Sequence, residues 1–307
     1  MKKIILIMLL AICDLQEAIA CDICGCGAGS YYIGVLPDFN SRIIGLRYRG
    51  NNIRTHLGPG GTTSYLTTDE AYHTAELWGG WTIKNKVRIM ATIPVNYNTK
   101  KSQESDLSKT GLGDMSVQGF YRLWNKKSVV RKDKLLINDL WIGGGVKLPT
   151  GKYEPPDNDI SGQSANLFQL GTGSIDFILS MMYDIRLQDA GVNLSAAYKI
   201  NTANKYDYYY GNKLSGSLQL YYKFRIKNKL TITPNLGAGY EYSVRDLNGG
   251  YGVYTSGGYA LYGTAGAELN CGRLAFGGNY QPPLKQELAH GAIKAGDRLM
   301  LHLSFMF

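Results

Sequence analysis

The chain has 307 residues, with 33 Lys and Arg against 24 Asp and Glu for a net charge of +9, and it is rich in Gly (38) and Tyr (23) but poor in Phe (8). Beyond its first 20 residues no stretch reaches the eighteen or so continuous apolar residues of a transmembrane helix, which excludes a helical membrane protein. The remaining length suits one large β domain or two ordinary ones.

The N-terminus reads as a secretory signal over residues 1–20. Lys2 and Lys3 form a positive start, Ile4 to Ile12 an apolar run too short to span a bilayer, and Ala18-Ile19-Ala20 an A-x-A cleavage site. Cleavage there makes Cys21 the first mature residue, which also raises its lipidation, although Ala18 stands where a lipobox usually has leucine. Both outcomes place the chain outside the cytoplasm, where disulfides are permitted. Residues 21–40, beginning "CDICGC", are expected to be a Cys-rich periplasmic tail.

From residue 41 to 307 the sequence alternates with period two. In "KVRIMATIPVNYN", Val87, Ile89, Ala91, Ile93, Val95 and Tyr97 point one way and Arg88, Met90, Thr92, Pro94 and Asn96 the other. The alternating runs exceed the five or six residues usual in soluble sheets and approach the nine to eleven of a membrane-spanning strand. Trp81, Trp124, Tyr198, Tyr222, Tyr242, Tyr259 and Tyr280 sit at the ends of apolar faces, as interfacial girdles require. The fold class predicted is all-β, a transmembrane antiparallel β-barrel of about 12 strands of outer-membrane type. Strands are predicted near 41–49, 70–83, 86–98, 110–124, 135–150, 165–186, 190–203, 212–226, 229–246, 255–270, 272–282 and 296–307. Short links at Lys84-Asn85-Lys86, Gln188-Asp189-Ala190, Lys227-Asn228-Lys229 and Cys271-Gly272 alternate with long ones, and the link from Asn125 to Lys134 stands out as long for a periplasmic turn. An even strand count puts both termini in the periplasm of a Gram-negative bacterium. The last strand, "DRLMLHLSFMF", carries an apolar stripe ending in Phe305 and Phe307, an expected assembly signal for the barrel-assembly machinery.

In this topology Cys21, Cys24, Cys26 and Cys271 share one rim. Four cysteines outside the cytoplasm read by default as disulfides, and the sharper alternative from the C-x-x-C-x-C spacing is a soft-metal site for Cu or Zn with Cys271 a further ligand. Extending the alternation inward places Arg47, Arg49, Arg88, Arg122, Lys147, Lys223, Arg225, Arg245 and Arg298 in the lumen with Glu76, Asp114, Asp139, Asp176, Glu241, Glu268 and His302. Mixed signs favour ion-pair networks over a substrate row. The basic short links match attraction to outer-membrane lipid headgroups, and there is no nucleic-acid recognition module. The four histidines neighbour no recognisable serine or acidic motif in sequence, so no enzyme is expected.

Three consecutive stretches, "GLGDMSVQGFYRLW" (111–124), "IGGGVKLPTGKYEP" (142–155) and "FQLGTGSIDFILSMMYDI" (168–185), resemble in order the G-L-G-D, G-x-K-L-P-T-G and G-T-G-S-x-D motifs of the bacterial outer-membrane family named after the meta-pathway of phenol degradation. The resemblance implies a barrel transporter or channel, with aromatic hydrocarbons the substrates proposed for some relatives. From the residues alone, Pro149 and Gly151 stop a strand, Gly171 and Gly173 allow close backbone approach, and the loop between them is able to fold inward. The expected function is an outer-membrane channel for a small solute, hydrophobic or metal-linked, gated or anchored by residues 21–40. The alternative is a barrel without an open pore that binds copper or zinc or docks a periplasmic partner.

Overall fold

The computed structural model describes residues 42–103, 106–130, 134–155, 166–227 and 229–307. The predicted residues 1–20 and the tail 21–40, with Cys21, Cys24 and Cys26, lie outside them. The strands are β1 (Arg42–Thr55), β2 (Thr68–Ile83), β3 (Val87–Lys101), β4 (Asp106–Leu112), β5 (Ser116–Val130), β6 (Lys134–Lys147), β7 (Asp176–Leu187), β8 (Ala190–Ile200), β9 (Tyr208–Tyr209), β10 (Lys213–Tyr222), β11 (Phe224–Ile226), β12 (Leu230–Ser243), β13 (Leu247–Asn248), β14 (Tyr251–Gly252), β15 (Gly258–Cys271), β16 (Leu274–Gln281), β17 (Pro283–Leu288) and β18 (Lys294–Met306).

All but β9, β13 and β14 join one antiparallel sheet that closes on itself as a 12-strand barrel. Three staves are interrupted: β4 and β5 both pair with β3, β11 continues β10 along β12, and β17 continues β16 along β15. First and last strands pair through Leu46 and Leu303, and Arg42 and Phe307 exchange backbone hydrogen bonds of 3.1 and 2.9 Å. Closure leaves no sheet edge within the wall, the condition for crossing a bilayer with strands.

The period-two pattern sets the two faces. Leu46, Leu236, Leu301 and Leu303 are exposed on the outside, whereas Arg47, Glu241, His302 and Ser304 beside them are buried inside. One end of the barrel has tight turns, where Lys84, Asn85, Gln188, Lys227 and Gly272 take positive φ, the twist that two-residue hairpins favour. The other end carries long loops, including the small β9–β13–β14 sheet.

Several segments differ from the sequence reading: stretches expected as loops at 99–109 and 283–295 carry β4, paired with β3, and β17, paired with β15. The link at Asn125 to Lys134 is no loop: β5 and β6 stay paired as far as Val130 and Lys134, projecting as a hairpin past the tight-turn rim. The sixth strand begins at Asp176 rather than near 165. Residues 166–175 leave the wall instead, because their buried apolar and polar side chains, Leu167, Leu170, Gln169 and Thr172, have partners only inside the barrel.

Candidate functional site

The interior is stratified. Towards the long loops, Ile53, Tyr72, Tyr262, Leu288 and Ile293 bury together with Leu167 of the inward segment. Towards the tight turns, Ile43, Trp78, Met90, Phe120 and Trp141 form a second apolar layer, against which Met182 and Met306 pack. Between them lies a chamber of about 60 Å³ reached by Gln118, Phe120, Ser217, Gln219, Tyr262 and Arg298.

The inward segment is held by the residues of the three motif stretches. Lys147 ends β6 wholly buried, and its ammonium contacts Asp114 and Thr172, lies 2.9 Å from Asp176 Oδ2 and donates to Ser174 O at 3.2 Å. Asp114 also accepts from the backbone N–H of Gly151 at 3.0 Å and of Thr172 at 2.9 Å. A Cβ on Gly171 would lie 2.7 Å from Gly151 Cα, so glycine is required where the two backbones meet. From the same side of the barrel, one stave beyond β5, Asn96 and Asn98 of β3 donate to Leu170 O and Gln169 O, each at 2.9 Å. Residues 166–175 are thus pinned to the β3–β6 side of the wall, while Leu167 is buried in the apolar cluster with Tyr262 of β15 and Leu288 of β17. At the loop surface, Glu154 is held down at about 2 by hydrogen bonds from Lys152 and then Lys109.

In the middle, Glu241 pairs with Arg298 at 2.6 Å and with Lys213 at 3.0 Å, and the Arg298 guanidinium lies 3.9 Å from the Tyr262 ring centroid. Glu76 takes Arg47 at 3.5 Å and also Arg49. His302 lies between Glu268 at 2.8 Å and Ser304 at 3.3 Å, all three buried in the wall. In the lower layer Arg88 and Arg122 stack on Trp141 at 4.3 and 4.6 Å, Arg47 on Trp78 at 5.2 Å, and Arg122 pairs with Asp139 at 2.6 Å. Lys223 is buried over the Tyr221 ring.

Two lumenal candidates occupy the ends rather than the bore. Arg225 is exposed at the tight-turn rim and pairs with Asp189 at 2.9 Å. Arg245 follows β12 into the loops, where it meets His290 at 2.7 Å. The strand breaks before these positions, so extending the alternation through them carried no information about depth. Phe305 and Phe307 stack on the outer face, both exposed there. Cys271 is an exposed thiol on the β15–β16 turn, and among the described residues no group of three or more His, Cys, Asp or Glu is arranged to hold a metal.

Sequence reasoning missed Trp78 and Trp141, although their inward parity was readable from β2 and β6. It also missed one wall of spare hydrogen-bonding capacity. Both amide atoms of Gln219, Thr233 Oγ1, Asn235 Nδ2, Thr264 Oγ1 and Asn279 Oδ1 are buried without a partner among the described residues. All lie on β10, β12, β15 and β16, opposite the aromatic layer of β2, β3, β5 and β6. Buried amides and hydroxyls of this kind are satisfied by water or by a polar solute.

An apolar exterior, a closed wall and a buried polar interior define a transmembrane β-barrel of outer-membrane type. The chain belongs to the family described by the MetA-pathway of phenol degradation, whose profile matches residues 55–264. No curated protein matches it significantly. Among solved structures, an outer membrane channel from Pseudomonas putida F1 superposes with a TM-score of 0.64 at 14% identity, covering 89% of this chain and 100% of that one. The β domain of a Bordetella autotransporter gives a TM-score of 0.49 at 10% identity, covering 87% and 100%. At these identities the likeness is one of fold.

Proposed function

We propose that the chain is an outer-membrane channel for a small solute, hydrophobic or metal-linked, closed in the conformation described. The observation that carries this reading is the inward segment 166–175, pinned above a chamber lined by Gln219, whose amide atoms are unused donors and acceptors among the described residues. A wall built only for stability would satisfy those groups internally, because each unsatisfied buried polar group costs about 1–3 kcal/mol. The solved Pseudomonas putida channel shares this barrel architecture. In this reading the tight-turn end faces the periplasm, the segment closes the bore from outside, and residues 21–40, joining the wall at Arg42, control access from below. Small solutes, outer-membrane lipid and the assembly machinery are its partners.

A second reading draws on the placement of Cys271. Its turn adjoins the corner from which the tail departs: Met306 N donates to Arg273 O at 2.8 Å and Arg42 pairs with Phe307. Cys21, Cys24 and Cys26 would there join Cys271 in binding Cu or Zn, or in disulfides, with no open pore.

Solute flux through the barrel in liposomes, compared between the full tail and a chain lacking residues 21–34, separates the two. Increased flux on truncation is expected for a gated channel. No flux from either folded barrel, with metal binding lost on truncation, would overturn the channel in favour of the thiol site.

A further inference from the structure

The tight-turn rim carries a second cavity, of about 420 Å³. It lies between the 84–86 turn and the projecting β5–β6 hairpin, lined by Lys84, Lys86, Arg122, Trp124, Lys127 and Ile137 among others. Its construction follows from one irregularity. The β5 register shifts between Arg122 and Trp124, and pairing with β3 ends at Tyr121 and Val87. A bulge bends the strand that carries it, so the hairpin departs from β3 and leaves a cleft. Arg122 ties the floor to the turn, donating from its backbone to Lys86 O at 2.8 Å and from Nη1 to Asn85 O at 3.2 Å.

Among the described residues, four cations and no carboxylate line this cleft. Arg122 is neutralised by Asp139, but Lys84, Lys86 and Lys127 have no ion pair among the described residues. Among the described residues, from Leu123 onward β5 has a strand neighbour on its β6 side only, so alternate backbone N–H groups also face outward from that edge. The site combines this charge with apolar surface: Leu123 and Trp124 are each about half exposed. Trp124 marks the depth, since exposed tryptophans on a barrel's outer face lie at the membrane interface. The lysines, one turn beyond, stand at the level of lipid phosphates.

We propose that this cleft is a binding site for one anionic phospholipid, its phosphodiester held by Lys84, Lys86 and Lys127 and its acyl chains running along Leu123 and Trp124. A freely soluble anion would leave the apolar side of the site uncovered, which is why a lipid is the occupant. The inference rests on the proposed orientation, with the tight turns at the phospholipid inner leaflet.

Native mass spectrometry of the full chain in neutral detergent tests the site without reference to orientation, using phosphatidylglycerol and phosphatidylcholine of identical chains. Preferential retention of phosphatidylglycerol is expected, with each Lys→Gln change at Lys84, Lys86 or Lys127 weakening it by about fivefold. Lys285→Gln and Lys294→Gln, at the opposite end, should leave retention unchanged. Equal retention of the two lipids, indifference to the three substitutions, or displacement by millimolar inorganic phosphate would overturn the proposal. Orientation is read separately by labelling Cys271 in intact cells with a membrane-impermeant maleimide. Labelling from outside would overturn the orientation while leaving lipid binding in detergent intact.

Discussion

Lys147 is wholly buried, and its ammonium is the shared partner of Asp114, Asp176 and Thr172. Two carboxylates and one ammonium do not balance, so backbone N–H donors from Gly151 and Thr172 share the load on Asp114, and Ser174 Oγ donates to Asp176 at 2.8 Å. Removing the cation leaves the carboxylates buried and uncompensated, a loss of about 3–5 kcal/mol. Lys147→Met is therefore expected to lower the temperature at which the barrel unfolds, read by its heat-dependent gel mobility. It should also raise liposome flux, because the same side chain holds residues 172 and 174. A stability loss without any change in flux would show that segment 166–175 does not obstruct the path.

At the scale of elements, parity does most of the work. On β2, β3 and the stretches of β1 and β18 that pair without a register shift, inward positions fall where alternation puts them, so Arg47, Glu76, Arg88 and His302 were legible from sequence, whereas Ala295, before the shift in β18, is buried out of phase. Where a strand breaks, legibility ends: Lys223 precedes β11, Arg225 lies exposed beyond that break, and Arg245 has left β12. The lower apolar layer is also a property of elements, since β2, β3, β5 and β6 each place one large side chain at a common depth. Trp141→Ala removes the ring on which Arg88 and Arg122 stack, and is expected to destabilise the barrel by about 3–5 kcal/mol while widening the lower constriction. Larger solutes should then pass at rates the parent chain does not reach, measured by size-graded sugars in liposome swelling. In the loops, depression of the Glu154 pKa to about 2 keeps its pairs with Lys109 and Lys152 intact from neutral pH downward. Their contribution is complete above the ordinary glutamate range and is lost only as pH falls from there towards 2.

The whole molecule is an inverted globule, apolar outside and polar within, and its closure depends on the terminal strand. Phe307 supplies both backbone partners to Arg42, and its ring stacks on Phe305 on the outer face. Phe307→Ala keeps the backbone pair but removes the exposed aromatic. It is expected to slow delivery to the membrane in cells, seen as accumulated unfolded chain, while refolding of the purified protein in detergent changes little. Equal slowing in both settings would place the role of Phe307 in barrel stability instead of recognition by the assembly machinery.

The sequence by itself determined the barrel, its strand count, its lipid-facing residues and most of its inward charges, because in a sheet the direction of a side chain follows from chain position alone. Residues 111–124, 142–155 and 168–185 were legible as a family signature, but not as three parts of one clamp. Their meeting depends on Lys147 and Asp114 reaching Thr172 across segments 33 and 25 residues away from Lys147 in the chain, and such contacts have no period to reveal them. Only the tertiary structure decided that residues 166–175 turn inward, that the link after Asn125 is a hairpin bent by a bulge, and that one wall keeps unpaired amides and hydroxyls. Each of these is set by which side chains find partners across the lumen, a matter of closure in three dimensions rather than of alternation along one.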